Sequence, residues 1–371
     1  MRIRLRAAAV LATAVVFTGF GSASAAAPGW TVTATPKLTP GYVLNGGSML
    51  SANSGWAVGY HLDGMWAGTV ALRWDGKSWQ RTPTPKGLTL SAVAATGDKS
   101  ALAVGLKSDK ASLAARWDGA KWVELPSPTP GGLPAGADPE LSSISVLSEN
   151  DAWAAGCAQT DDFTAGAPLL NRWNGKAWSA VAVPKPANAN FACLRSVAAR
   201  SATEAWAVGY AGTSAGVRPL ALRWDGAKWA EVAVAATGAP EAKFTKVVLS
   251  GKDVWAVGFV DPEGGNPLAL APHVQRWDGA KWSVVPVPAK QGLLYGAAAD
   301  GKGGVYASGY TSSAAPLALK WNGSAWAEVK AGLPAHALLM GVAAVPGTTK
   351  VWAFGDDAGD PQQGLAAHLG G

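Results

Sequence analysis

Apolar and polar positions alternate along the chain in short runs, and no stretch after the N-terminus keeps the 3.6-residue spacing of an amphipathic helix. One stretch shows the pattern. Residues 141–147 read as an apolar first strand, 148–151 as a turn and 152–158 as a second strand. A longer polar loop at 159–168 leads to a third strand at 169–173, the tight hairpin signal Asn174-Gly175 and a fourth strand at 178–184. Glycine after Asp or Asn suits the positive φ that such hairpins demand. The pattern predicts an all-β chain built from four-stranded units.

The unit repeats. Arg73-Trp74-Asp75-Gly76-Lys77-Ser78-Trp79 recurs at 116–122, 172–178, 223–229, 276–282 and 320–326. Upstream of each tail lies a second block: Trp56-Ala57-Val58-Gly59-Tyr60, then 102–106, Trp153-Ala154-Ala155-Gly156, 206–210, 255–259 and 306–310. The period of about fifty residues is that of a propeller blade. A seventh copy is split between the two ends. Residues 339–344 and Val351-Trp352-Ala353-Phe354-Gly355 supply two strands, and 365–371 aligns with 113–119 as a third. The fourth is at the other terminus, where Gly29-Trp30-Thr31-Val32-Thr33-Ala34-Thr35-Pro36 resembles residues 78–85. The expectation is a seven-bladed β-propeller with blade 7 closed by the N-terminal strand, which leaves no open edge between first and last blades.

Of the nineteen tryptophans, all but Trp66 fall at three repeated positions, in the second strand and on either side of the hairpin. Large aromatics at sheet-to-sheet contacts bury roughly 150–250 Å² each, so these read as wedges between blades.

Residues 1–25 read as a signal peptide: Arg2, Arg4 and Arg6 precede an apolar run at 7–19, and Ala23-Ser24-Ala25 offers a cleavage site before Ala26. The propeller domain then covers 26–371, and the protein is expected to be secreted, without membrane insertion. Loss of the three arginines lowers the formal charge from +6 to +3. The remaining cations form no run, which argues against nucleic acid as a partner.

The blade signature, an apolar block ending Trp-Ala-Val-Gly-Tyr followed by Leu-x-Arg-Trp-Asp-Gly-x-x-Trp, resembles secreted actinobacterial propellers of the broad kelch/galactose-oxidase-like group. It is also similar to the lectin-type propeller subunits of the antibacterial umbrella toxin particles of Streptomyces. That resemblance implies a targeting subunit whose partners are a cell-surface glycan and other secreted subunits. The kelch Gly-Gly doublet is missing, and the Trp-Asp pair lies in a hairpin, unlike the WD40 signature.

Catalytic chemistry has no constellation to rest on. His61, His273, His336 and His368 are scattered, no Cys or His pair has zinc spacing, and no Gly-x-Ser-x-Gly elbow occurs. No catalytic residue, metal or cofactor is expected. The one seam at which acid and imidazole groups gather is that of blades 7 and 1, with His61, Asp63, His336 and Asp357. Cys157 ends a second strand and Cys193 begins the next blade's first strand, on the same face, so a disulfide is expected between them.

The loops after second strands, at 62–68, 107–111, 159–168, 211–219 and 260–272, vary, whereas the opposite hairpins barely do. A rigid scaffold with one diversified loop face commonly presents a binding site. Candidate ligand contacts there are Trp66, His61, Asp63, Phe163, Asp161 and Asp162, with Phe191 and Tyr42 in blade-to-blade loops. At the third position of the first strands the repeats carry Leu90, Ser143, Arg195, Lys246, Tyr295 and Met340, a mixture suited to lining a channel mouth. Two functions remain open: a carbohydrate-binding targeting module, or a scaffold that engages a partner peptide in its cleft or channel.

Overall fold

A computed structural model of the chain describes residues 29–63, 66–107, 110–127, 132–160, 165–359 and 361–370. The expected signal peptide, 1–25, lies outside them. The molecule is an all-β propeller, with no helix among the described residues. After β1 (Thr31–Thr33), strands β2 (Tyr42–Ser51), β3 (Ser54–Asp63), β4 (Trp66–Trp74) and β5 (Trp79–Thr82) form one antiparallel sheet. A second holds β6 (Thr89–Gly97), β7 (Ser100–Leu106), β8 (Ser112–Trp117) and β9 (Trp122–Leu125). A third holds β10 (Asp138–Ser148), β11 (Asp151–Gln159), β12 (Gly166–Trp173) and β13 (Trp178–Ala180).

Strands β14 (Phe191–Ser201), β15 (Glu204–Thr213), β16 (Gly216–Trp224) and β17 (Trp229–Glu231) come next. They continue into β18 (Glu241–Ser250), β19 (Asp253–Asp261), β20 (Ala271–Trp277) and β21 (Trp282–Val284). A further sheet holds β22 (Leu293–Ala299), β23 (Val305–Tyr310), β24 (Pro316–Trp321) and β25 (Trp326–Glu328). Finally β26 (Leu338–Ala344), β27 (Val351–Asp356) and β28 (Gly364–Leu369) take up β1 in the order β1-β28-β27-β26, with Thr31 opposite His368.

The sheets are therefore five of four strands and one of eight. This departs from the expected seven-bladed ring of four-stranded sheets. Strands β16 and β18 meet in one parallel pair, Val217 with Glu241, and that pair joins two expected blades into one sheet.

Tryptophan holds neighbouring quartets together with a fixed handedness. Trp56 of β3 lies 4.8 and 5.0 Å from Trp117 and Trp122 of the following quartet, centroid to centroid. Trp153 meets Trp224 and Trp229 at 5.2 and 5.1 Å, and Trp206 meets Trp277 and Trp282 at 5.2 and 5.5 Å. Trp255 meets Trp321 and Trp326 at 4.9 and 5.6 Å. The same contact closes the ring: Trp352 of β27 lies 5.1 and 5.3 Å from Trp74 and Trp79. Where the second strand lacks Trp, Leu102 packs with Trp173 and Trp178, and Tyr306 with Trp30 and Leu369. Tilted and edge-on indole contacts of this kind add roughly 0.5–1.5 kcal/mol each beyond the area they bury.

The rest of the repeated tail serves the same wedge. Arg73 stands across the strand pair from Trp56, its guanidinium 5.6 Å from the ring centroid, and Arg172, Arg223 and Arg276 cover Trp153, Trp206 and Trp255 likewise. The hairpin aspartate folds the turn. Asp75 Oδ1 accepts from the amides of Lys77 and Ser78 at 2.8 Å, which holds its carboxyl below the usual range, and Gly76 takes φ +94°.

The glycine of the second strand has a steric origin. A Cβ on Gly59, Gly105, Gly156, Gly209, Gly258, Gly309 or Gly355 would lie within 2.1 Å of the carbonyl oxygen of Val43, Thr89, Glu140, Cys193, Lys243, Leu293 or Leu338 respectively. First and second strands approach there more closely than any side chain permits.

Two predictions follow from this packing. Gly209→Ala forces the backbones apart and should cost about 3 kcal/mol or more, whereas Gly97→Ala, with nothing within 4 Å of the added methyl, should change stability little. Denaturant melts of the two variants check this, and equal effects contradict it. Trp30 is 6% exposed and is the only aromatic that β1 and its approach add to the closing sheet. Trp30→Ala should cost roughly 3–5 kcal/mol, read as a lowered melting temperature.

Candidate functional site: the mouth of the central channel

The close approach at glycine sits beside a β-bulge. In each innermost strand the register slips by one residue immediately after the partner of that glycine, leaving Asn45, Ser91, Ser142, Arg195, Thr245, Tyr295 or Met340 unpaired. A bulge re-aims the side chain it carries. The residue before each bulge, Leu44, Leu90, Leu141, Leu194, Phe244, Leu294 or Leu339, is wholly buried between sheets. All the bulged residues line one cavity of about 410 Å³ on the ring axis, to which β2, β6, β10, β14, β18, β22 and β26 all contribute.

Four bulged side chains bind the next innermost strand. Asn45 Nδ2 donates to Leu90 O at 3.0 Å, Ser91 Oγ to Glu140 Oε1 at 2.7 Å, Ser142 Oγ to Arg195 O at 3.3 Å and Thr245 Oγ1 to Leu294 O at 2.6 Å. Arg195, Tyr295 and Met340 depart from that role. Tyr295 stacks on Tyr310, centroids 5.6 Å apart.

One position further on, the repeats carry Gly46, Ala92, Ser143, Ser196, Gly296 and Gly341. Space explains the small residues: a Cβ on Gly296 would fall 2.7 Å from Gly341 Cα, and one on Gly341 2.8 Å from Gly46 Cα. The remaining counterpart is Lys246, paired with Val257 and lining the cavity. Burial pulls its ammonium below the usual lysine range. Neither Lys246 nor Arg195 has an ion-pair partner among the described residues. Glu140, held by Ser91, is the acid among the cavity's lining residues.

Aromatic and acidic groups gather where β3, β23 and β27 end. The residue after the repeated glycine is Tyr60, Leu106, Cys157, Tyr210, Phe259 or Tyr310, but in the closing sheet it is Asp356, 2% exposed. Burial raises the Asp356 carboxyl, although Ala358 N donates to it at 2.8 Å. Burial also raises the Tyr60 and Tyr310 hydroxyls, and Asp356 adds to both shifts. Tyr60 and Tyr295 line the cavity.

Of the residues expected from sequence, Arg195, Lys246, Tyr295 and Met340 come together in this cavity. Leu90 and Ser143 do not: both are wholly buried, Leu90 because it precedes the bulge at Ser91, and Ser143 because its hydroxyl is tied to Val197 N at 3.2 Å and Ser196 Oγ at 3.4 Å on the next strand. Shifting a strand by one residue turns its side chains to the other face. Much of the expected loops at 62–68 and 211–219 is strand. Strand β3 runs to Asp63 and pairs it with Trp66, and β15 runs to Thr213, opposite Gly216. The ring of His61 lies over Gly68 and that of Phe191 over Gly212, with Phe191 edge-on to Tyr210. Tyr42 is wholly buried, its hydroxyl donating to Pro36 O at 2.8 Å. Asp161, Asp162 and Phe163 lie outside the described residues.

In the loop at 262–270, Asp261 accepts from the amides of Glu263, Gly264, Gly265 and Asn266 at 2.5–3.1 Å. Burial opposes its charge, but the four donors outweigh it and hold the carboxyl below the usual range. No three His, Cys, Asp or Glu groups converge as metal ligands among the described residues, at the β26–β2 seam or elsewhere. His273 is buried away from the cavity, stacked on Phe244, and burial brings it down to about 4.

Asn45, Ser91, Ser142, Glu140, Thr245 and Tyr60 escape a sequence reading. The signal that finds them is the repeated glycine: the bulge follows the residue facing it, fifteen or so positions upstream.

Cys157 and Cys193 form the expected disulfide, linking β11 to β14 with Cα atoms 4.9 Å apart. The bridge packs with Tyr210, Phe191 and Val217. It spans a sequence separation of 36, and loop-closure entropy gives such a bridge about 4 kcal/mol. The Cys157→Ser/Cys193→Ser protein should melt well below the oxidised wild type. Equal melting temperatures contradict a stabilising bridge.

No family model matches the chain, and no curated protein does. Among solved structures, the chain is similar to "YCF48 bound to D1 peptide", at 16% identity and TM-score 0.58, over 92% of this chain and 94% of that one. It is similar to the propeller domain of the Trilobed protease from Pyrococcus furiosus, at 10% identity and TM-score 0.54, over 89% and 94%. It is also similar to the six-bladed, fucose-recognising lectin of Aleuria aurantia, at 12% identity and TM-score 0.51, over 81% and 99%. At these identities the likeness is one of fold.

Proposed function

We propose that the chain is a secreted, non-catalytic, lectin-like recognition module that binds a cell-surface glycan at the mouth of its central channel. We count the ring as seven blades, taking the eight-stranded sheet as two quartets stitched by one residue pair. Support for that count is that each quartet carries its own bulge and its own wedge to the next.

The observation that carries the functional reading is the cavity itself. Its volume of about 410 Å³ falls in the range of roughly 300–1,000 Å³ typical of small-ligand sites. Tyr60 and Tyr295 offer flat apolar faces, and Asn45, Thr89, Ser91 and Glu140 line the cavity with oxygens that can accept, the donors of Asn45 and Ser91 being committed to neighbouring strands. Sugars present the same two surfaces, an apolar ring face and a rim of hydroxyls. Trp66, His61 and Asp63 on β3 and β4, Phe191 at the start of β14, and Asp161, Asp162 and Phe163 are proposed as secondary contacts beyond the mouth.

The resemblance of the blade signature to toxin-particle lectins supports a place as a targeting subunit among other secreted subunits. A second reading is a partner peptide in the same channel. The similarly folded YCF48, bound to the D1 peptide, favours it.

A glycan array and a pull-down from spent culture medium separate the two. The purified protein should capture a subset of glycans, and Tyr60→Ala should weaken capture at least tenfold with little change in melting temperature. Trp224→Ala, at an inter-sheet wedge, should instead lower stability by roughly 3–5 kcal/mol. Capture of no glycan, together with one protein recovered from the medium and lost with Tyr60→Ala, contradicts the lectin reading.

A further inference from the structure

Lys246 and Arg195 break the ring's own rules. At the position of Lys246 every counterpart is Gly, Ala or Ser, and at that of Arg195 four of the six others are Asn, Ser or Thr that bind the next strand. Both cations sit on adjacent innermost strands, β14 and β18, line the same cavity and lack an ion-pair partner among the described residues. An unpaired ammonium partly withdrawn from water is destabilising, and Lys246 occupies a site that the ring otherwise fills with glycine, alanine or serine. Residues that violate a local rule without a structural gain mark function. A guanidinium fork and an ammonium that line one cavity from adjacent strands suit a carboxylate. Glu140 sits in the same cavity with Ser91 donating to Oε1, and no ion pair joins it to either cation.

We infer that the glycan bound in the channel carries a carboxylate, as a uronic or nonulosonic acid does, and that Arg195 and Lys246 hold that carboxylate while Tyr60 and Tyr295 flank the sugar ring. The inference rests on the lectin reading and narrows it.

The ring itself supplies the test variants. Ser91 and Ser142 occupy the position of Arg195, and Ser143 and Ser196 that of Lys246, so Arg195→Ser and Lys246→Ser place a residue the fold already accepts at each site. The probes are oligosaccharides bearing galacturonate, glucuronate, mannuronate or sialic acid, each paired with its carboxyl-reduced, neutral counterpart, and acidic peptides of matched charge. Titration calorimetry should find at least one acidic sugar bound tenfold or more tightly than its reduced twin. Each serine variant should lose tenfold or more of that affinity, while Lys246→Ser melts at or above the wild-type temperature. A purely structural lysine would lower the melting temperature when removed, which overturns the inference. Equal affinity for acidic and reduced sugars also overturns it but leaves the lectin reading standing. Binding of acidic peptides and of no sugar, acidic or reduced, overturns both.

Discussion

At one point in every repeat the first and second strands come so close that a single methyl group would overlap a carbonyl oxygen. Glycine there, Gly209 for instance, lets the two backbones touch. The bulge beside it does two things at once. It sends a leucine or phenylalanine, such as Leu194, into the contact between sheets, and it turns the next residue, Arg195, toward the axis. Core and channel are thus fixed by the same kink. The wedges, tryptophan in five of the seven second strands, then pack each kinked quartet onto the next, and β1 carries the pattern across the chain ends.

Because the scaffold is repetitive, departures from it are informative. The axis is lined for the most part by residues that serve the ring: small ones where strands touch, and hydroxyls or an amide that bind the next strand. Arg195, Lys246 and Tyr295 are exempt from those duties, and Asp356 replaces an aromatic or apolar residue behind Tyr60 and Tyr310. Holding a partly buried lysine and a buried carboxyl without ion-pair partners costs stability, although Ala358 and Gln362 donate to the carboxyl. These departures explain why the cavity is asymmetric although the fold is not.

Much of this was legible in the sequence. The glycine, the tryptophans and the Asp-Gly or Asn-Gly hairpins repeat because each meets a steric or hydrogen-bonding demand that recurs, so the quartets, the N-terminal closure and the Cys157–Cys193 bridge could be read directly. The channel was legible only in part. Arg195, Tyr295 and Met340 fall on the bulge itself, with Lys246 and Ser143 one residue beyond it and Leu90 one before, since a bulge leaves no compositional mark; Ser143 is then drawn into hydrogen bonds with the next strand. Trp66 and residues 211–219 looked like loop because polar or glycine-rich sequence does not distinguish a long loop from a strand that runs on into a tight hairpin. The stitch between β16 and β18 rests on one residue pair, too small a feature to show in any pattern.

The most direct test of where recognition happens is a crystal structure of the protein with its tightest-binding glycan. A sugar ring is expected inside the channel mouth between Tyr60 and Tyr295, with Arg195 and Lys246 in contact with it and the hairpin ends unchanged. A sugar seated on the outer hairpins, around Phe191 and Val217 or beside Trp66, with nothing but water along the axis, would contradict it.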